Sequence, residues 1–152
     1  MIEPGDAFPE FALSNQDGET VRLADYRGRK VVLFAFPKAD TPGCTSQACG
    51  FRDHFGELQE AGAVVLGISP DSPTALARWK AKESLPYDLL SDPAHETLER
   101  LGAWGEKSMY GRKVQGVLRS HWVIDETGKL LDAQVKVSPA QSVESAVRFL
   151  AS

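Results

Sequence analysis

The chain has only two cysteines, Cys44 and Cys49, in 152 residues. That excludes a disulfide framework, and none is needed: a chain this long buries roughly 70% of its unfolded surface. No apolar run exceeds the six residues Val31 to Phe36, far short of the ~18 that a membrane-spanning helix needs. Positive charge is in deficit, with 17 Lys+Arg against 21 Asp+Glu and a net charge of −4. A protein that lives on phosphate contacts carries the opposite bias, so nucleic acid is not an expected partner. Linkers, repeats and low-complexity stretches are absent, which points to one domain over residues 1–152. The amino terminus, Met1-Ile-Glu-Pro-Gly-Asp6, lacks the basic and apolar regions of a secretory signal, so the expected compartment is the cytoplasm. Thiols stay reduced there, and a close pair more often serves catalysis, sensing or metal binding than structure.

Against these absences stands a clear succession of elements. Phe11 to Leu13 and Thr20 to Leu23 flank the turn residues Asn15-Gln-Asp-Gly18, the pattern of a β-hairpin. Val31 to Phe36 and Ala63 to Ile68 are continuous apolar runs rich in β-branched residues, suited to strands buried on both faces. Between them Ala48, Phe51, Phe55 and Leu58 form one stripe on a helix. Strand, helix, strand at this spacing is a parallel crossover. Ser72-Pro73, Asp92-Pro93 and Ser138-Pro139 each set a capping side chain before a proline, predicting three further helix starts. Gln141 completes a capping-box spacing with Ser138. Leu118 to Ile124 and Lys129 to Val137 read as strands joined at Asp125-Glu-Thr-Gly128. This order predicts an α/β thioredoxin-like fold: a central mixed sheet flanked by helices, with an N-terminal β-hairpin extension.

In such a sheet, chemistry gathers where a strand ends and a helix begins. Phe36-Pro-Lys-Ala-Asp-Thr-Pro-Gly-Cys44 occupies that junction. Cys44 then falls in the first helical turn, beside unpaired backbone N–H groups and the positive end of the dipole. Both favour the thiolate. Pro42 and Gly43 let the backbone close on the sulfur, and the Thr41 hydroxyl can donate to it or to a bound oxygen. The bland alternative is a buried Cys44 that merely fills the apolar stripe. The Pro/Gly-rich junction and a second thiol five residues on favour the reactive reading.

The same residues carry a resemblance. Pro37-x-x-x-Thr41-x-x-Cys44 resembles the active-site motif of the peroxiredoxins, thiol-dependent peroxidases of thioredoxin fold. The longer string from Pro37 through Cys49 to Asp53 is similar to the Q-type branch, the bacterioferritin-comigratory proteins, as are Gly105 to Gly111 and Arg119 to Asp125. The resemblance implies that Cys44 is the peroxidatic cysteine, attacking the peroxide O–O bond and becoming a sulfenic acid. It implies that Cys49 resolves that acid as an intrachain disulfide. Thr41, Gly43, Cys44 and Arg119 then contact the peroxide, with Arg119 supporting thiolate and departing oxygen, while Pro37 shields the pocket from water. The implied partners are hydrogen peroxide or an organic hydroperoxide and a dithiol reductant such as thioredoxin. No cofactor or metal is implied, and a cysteine pair within one chain points to a monomer. Three positions depart from the family pattern. Gln47 replaces a glutamate that orients the arginine, Phe36 a common tyrosine, and His121 a small hydroxyl residue.

Rival readings find less support. A disulfide reductase of thioredoxin type needs Cys-x-x-Cys and a proline before the facing strand, yet no proline lies between Pro93 and Pro139. A metal site from Cys44, Cys49 and His54 has ligands splayed around a helix. His54 and the cluster Lys107, Arg112 and Lys113 read as solvated, Arg119 as an inward-facing strand residue, and His121 as a semi-buried neighbour on its strand face. A redox-responsive sensor or binding protein shares the same first step, the sulfenic acid. One further expectation concerns motion. Cys44 and Cys49 on one helix cannot bond without local unwinding. Gly50 should ease that unwinding, and Gly50→Ala should slow disulfide formation.

Overall fold

The computed structural model describes residues 2–151. The hairpin is β1 (Ala12–Asn15) and β2 (Thr20–Arg22), and the first apolar run is β3 (Lys30–Ala35). A loop leads into α1 (Pro42–Asp53) and, after a break at His54, α2 (Phe55–Glu60). The apolar stripe read from the sequence therefore spans two helices. The second run, β4 (Ala63–Ser69), lies parallel to β3, with Val32 opposite Val65 and Phe34 opposite Gly67. Next come α3 (Pro73–Glu83), β5 (Asp88–Ser91) and α4 (Glu96–Arg100). A separate two-stranded ribbon follows, β6 (Trp104–Met109) and β7 (Arg112–Val117). The chain closes with β8 (Ser120–Ile124), β9 (Leu130–Val135) and α5 (Pro139–Ala151). The main sheet has seven strands in the order β2-β1-β5-β4-β3-β8-β9. Its parallel centre and antiparallel edges are those of a thioredoxin-like sheet with the hairpin added at the β5 edge.

Alternation along β3 divides the core. Val32, Phe34 and Phe36 face α1, α2, α3 and α5, whereas Val31, Leu33 and Ala35 face α4, Val117 of the ribbon, and the N-terminal residues Phe8 and Phe11. A seven-stranded sheet covered on both faces explains why β3 and β4 read as unbroken apolar runs.

Several local expectations need correction. Ser72 and Ser138 do cap, accepting from the amides of Ala75 and Gln141 at 3.2 Å. The Asp92-Pro93 helix instead starts at Glu96, because His95 takes a left-handed φ of 48° after a turn closed by the Asp92 carbonyl. The Asp92 carboxylate still reaches forward to accept from the Leu98 amide at 2.9 Å. The β6–β7 ribbon was not foreseen. Its turn, Tyr110-Gly111, has both φ positive (54° and 77°), and a tyrosine seldom advertises that conformation. The strand expected from Leu118 begins only at Ser120, so Leu118 and Arg119 form the link between β7 and β8.

Candidate active site

Cys44 sits on the first turn of α1, 1% exposed, directly after the loop that leaves β3. The loop is pinned from the next crossover. The Asp71 carboxylate accepts from the Ala39 amide and from the Ser69 hydroxyl, each at 2.8 Å. Asp40, at a left-handed φ of 61°, pairs with Lys82. Thr41 precedes α1 in extended conformation, and its hydroxyl donates to the Lys38 carbonyl at 2.7 Å.

Arg119 arrives from the opposite edge of the site. Its carbonyl accepts from the Val137 amide at 2.9 Å, which fixes the short β7–β8 link. Its Nη2 donates to Cys44 Sγ at 3.4 Å, and its Nη1 to Gln47 Oε1 at 2.7 Å. One guanidinium edge thus bridges the sulfur and a side chain one turn further along α1. The arginine points inward as expected, although from a link and not from a strand. Gly43 leaves it room: a Cβ there would lie 3.1 Å from Arg119 Nη2, tight enough to push the guanidinium aside. Pro37 and Arg119 share an open groove of about 500 Å³ with Val117, Leu118 and Val137. Pro37, Thr41, Gly43, Cys44 and Arg119 are therefore gathered at one end of the sheet.

The other end of the pair has different neighbours. Both cysteines are free thiols; Cys49 is half-buried, whereas Cys44 is buried. Cys49 Sγ donates to the Glu83 carboxylate at 3.6 Å. Burial pushes the Cys49 thiol up, Arg52 opposes this, and the Glu83 carboxylate adds to it. Three side-chain bonds tie this stretch of α1 to its surroundings. Trp79 Nε1 donates to Thr45 Oγ1 at 3.3 Å, Tyr87 Oη to the Ala48 carbonyl at 2.7 Å, and Arg52 Nη1 to the Glu83 carbonyl at 2.7 Å. Phe51 is fully buried and stacks on Phe34, ring centroids 4.9 Å apart. Gly50 is in tight contact with α5: a Cβ there would come within 2.7 Å of Val143 Cγ2. Its smallness serves helix packing, which removes the basis for expecting Gly50→Ala simply to stiffen α1.

The comparisons with known proteins agree on the family of the chain. Residues 4–133 match the AhpC/TSA family. Peroxiredoxin Bcp of Escherichia coli K12 is 49% identical over 129 residues, covering 85% of this chain and 83% of that protein. The chain is a peroxiredoxin of the AhpC/TSA family. Peroxidoxin BcpB of Mycobacterium tuberculosis shares its structure with a TM-score of 0.88 at 33% identity, over 99% of this chain and 97% of that one. The bacterioferritin comigratory protein of Xanthomonas campestris gives 0.88 at 30% identity, over 99% and 96%. The Q-type resemblance is thereby shown.

Sequence reasoning missed several neighbours of the candidate site. Lys107 is not a solvated loop residue but half-buried on β6, its Nζ donating to the Val117 carbonyl at 3.1 Å. Burial pushes its amine down, the nearby Cys44 charge pulls it up, and Arg119 pushes it down again. The only clue was its place in a block resembling the family. His121 is fully buried, more than the semi-buried setting expected, and burial pushes its imidazole down to about 4. Phe36, which replaces a common tyrosine, packs wholly within the core against Trp79 at 5.0 Å. His54 is the surface residue expected, placed at the α1–α2 break with Glu57 at 3.0 Å.

Proposed function

We propose that this peroxiredoxin, a thiol peroxidase by family, works through Cys44 and Cys49 of one chain. The Cys44 thiolate attacks the nearer oxygen of a hydroperoxide entering beside Pro37 and Arg119. An S–O bond forms, the O–O bond breaks, and the leaving oxygen takes a proton to depart as water or alcohol. The Cys49 sulfur then attacks the Cys44 sulfenic acid. An S–S bond forms, and hydroxide leaves with the thiol proton as water. A dithiol such as thioredoxin returns both cysteines to thiols by exchange. The observation that carries this reading is the guanidinium of Arg119, 3.4 Å from Cys44 Sγ and bonded to Gln47 Oε1 at 2.7 Å. A fixed cation beside the nucleophile stabilises the sulfur anion and the charge that develops on the departing oxygen. Thr41 Oγ1 turns from the Lys38 carbonyl to meet the peroxide. The bacterioferritin comigratory protein of Xanthomonas campestris is described as having alkyl peroxide reduction activity, which supports organic hydroperoxides as substrates beside hydrogen peroxide. Two free thiols suit a reducing cytoplasm, and a resolving cysteine in the same chain lets a single-domain monomer complete the cycle.

Peroxide consumption coupled to a thioredoxin system tests the reading. The wild-type protein should turn over continuously, Cys44→Ser should be inactive though folded, and Arg119→Ala should lose peroxide attack far more than thiolate-corrected alkylation. Consumption that stops after about one equivalent would instead identify a redox sensor.

A further inference from the structure

The polar chain that begins at Cys44 continues past Gln47 into the core. Gln47 Nε2 donates to Ser142 Oγ of α5 at 3.0 Å, and that oxygen lies 2.8 Å from His121 Nδ1 of β8. Gln47, Ser142 and His121 are each fully buried, so bulk solvent does not compete for these bonds. Arg119 has donors only. Gln47 must therefore turn its carbonyl to Arg119 and its NH2 group to Ser142. An amide is ambivalent in this respect, since half a turn about its last bond exchanges the two ends. A serine hydroxyl alone does not prevent the exchange, because it can donate to a carbonyl as readily as accept from an amide. In the His121 tautomer whose Nδ1 is bare, however, that nitrogen takes the single proton of the Ser142 hydroxyl. Ser142 then offers Gln47 only lone pairs, and a flipped amide would lose bonds at both ends. In that tautomer donation runs one way, from guanidinium to amide to hydroxyl to imidazole. This arrangement puts the imidazole proton on Nε2, which is buried and has no hydrogen-bond partner among the described residues. Burial keeps the ring neutral against the weaker pull of Asp132, so both nitrogens are not protonated together near neutral pH.

We propose that His121 carries its proton on Nε2 and that Ser142 and His121 are thereby positioning residues for Arg119, fixing the polarity of the Gln47 amide and through it the seat of the guanidinium against the Cys44 sulfur. The proposal rests on the reading of Cys44 as the peroxide-attacking thiolate. It gives the two departures at Gln47 and His121 one explanation: an uncharged amide needs its direction set, whereas a carboxylate presents an acceptor whichever way it turns.

The experiment compares wild type, Ser142→Ala and the double variant Ser142→Ala/Gln47→Glu. Each is followed for peroxide attack on Cys44 and for iodoacetamide alkylation corrected to the thiolate fraction. Ser142→Ala should slow peroxide attack about tenfold, less than outright loss of a transition-state donor, with corrected alkylation unchanged. Adding Gln47→Glu should restore most of the lost rate, which a merely structural role for Ser142 predicts against, since it adds a buried charge to an already weakened core. Unchanged attack in Ser142→Ala, equal slowing of both reactions, or failure of Gln47→Glu to rescue overturns the proposal. A wild-type protein that does not attack peroxide overturns the functional reading itself and this inference with it.

Discussion

Replacing Tyr87 with phenylalanine should speed disulfide formation about fivefold. Five residues along α1 separate the cysteines by ~7.5 Å of rise and about 140° of rotation. A disulfide needs Cα atoms within ~6.8 Å and side chains that face each other. The stretch from Thr45 to Phe51 must therefore open before Cys49 reaches Cys44. Trp79, Tyr87 and the Arg52–Glu83 bond hold that stretch from outside. At ~1 kcal/mol net for each bond, and ~2 kcal/mol for moving the Phe51 ring off Phe34, opening costs on the order of 5 kcal/mol. The open form is then roughly one molecule in several thousand. Tyr87→Phe keeps the ring that meets Phe34 edge-on at 5.7 Å and removes only the hydroxyl that holds the Ala48 carbonyl. The cost should drop by about 1 kcal/mol, which is the fivefold gain. Stopped-flow fluorescence after mixing with peroxide reads the step, because Trp79 loses its bond to Thr45 as α1 opens. Trp79→Phe should silence the slow phase. An unchanged slow phase in Tyr87→Phe, or identical amide exchange from Thr45 to Phe51 in the reduced and disulfide forms, would refute the reasoning.

Two further outcomes follow from the packing. Gly50→Ala should lower stability, because overpacking against Val143 costs ~1–3 kcal/mol while the helical gain is at most ~1 kcal/mol. Calorimetry should find Tm lower by about 2–4 °C and recovery in Gly50→Ala/Val143→Ala; a raised Tm would contradict the clash. His121 ties stability to acid: its imidazole titrates near 4 when folded and near 6.5 when exposed, so between these values the unfolded chain binds the extra proton. That contribution is whole above about pH 6.5 and is lost as the pH falls towards 4, reaching about 2.5 kcal/mol at about pH 4.5. Urea unfolding at both pH values should show the drop shrinking by that amount in His121→Asn, and an equal drop in both proteins would refute the assignment.

What the sequence revealed and what it hid follow one physical line. β3, β4 and the Ser-Pro helix starts were legible because their causes are local: β-branched apolar runs, capping hydroxyls and prolines at N1. The β6–β7 ribbon was hidden because its turn residue, Tyr110, takes a left-handed conformation that its side chain does not signal. Cys44, Thr41 and Gly43 lie close together in sequence and declare themselves by the junction they occupy. Ser142, Tyr87, Glu83 and Trp79 do not, because each matters only through partners 21 or more residues away. Gln47 and His121 showed as unusual choices, but their connection exists only once α5 brings Ser142 between them.

α1 is held on two sides by unrelated parts of the fold: Arg119, Ser142 and α5 on one, Trp79, Glu83 and Tyr87 on the other. For a peroxidase working through Cys44 and Cys49, these grips control separate clocks. The first sets how fast the sulfur is oxidised; the second sets how long the sulfenic acid waits before it is resolved. A waiting sulfenic acid is exposed to a second peroxide and to irreversible oxidation. Tolerance of an oxidant burst is thus written mainly on α3 and the segment that joins it to β5, in residues that never touch the substrate. Substitutions there can make the protein hardier or more easily silenced by peroxide while leaving its rate of capture unchanged.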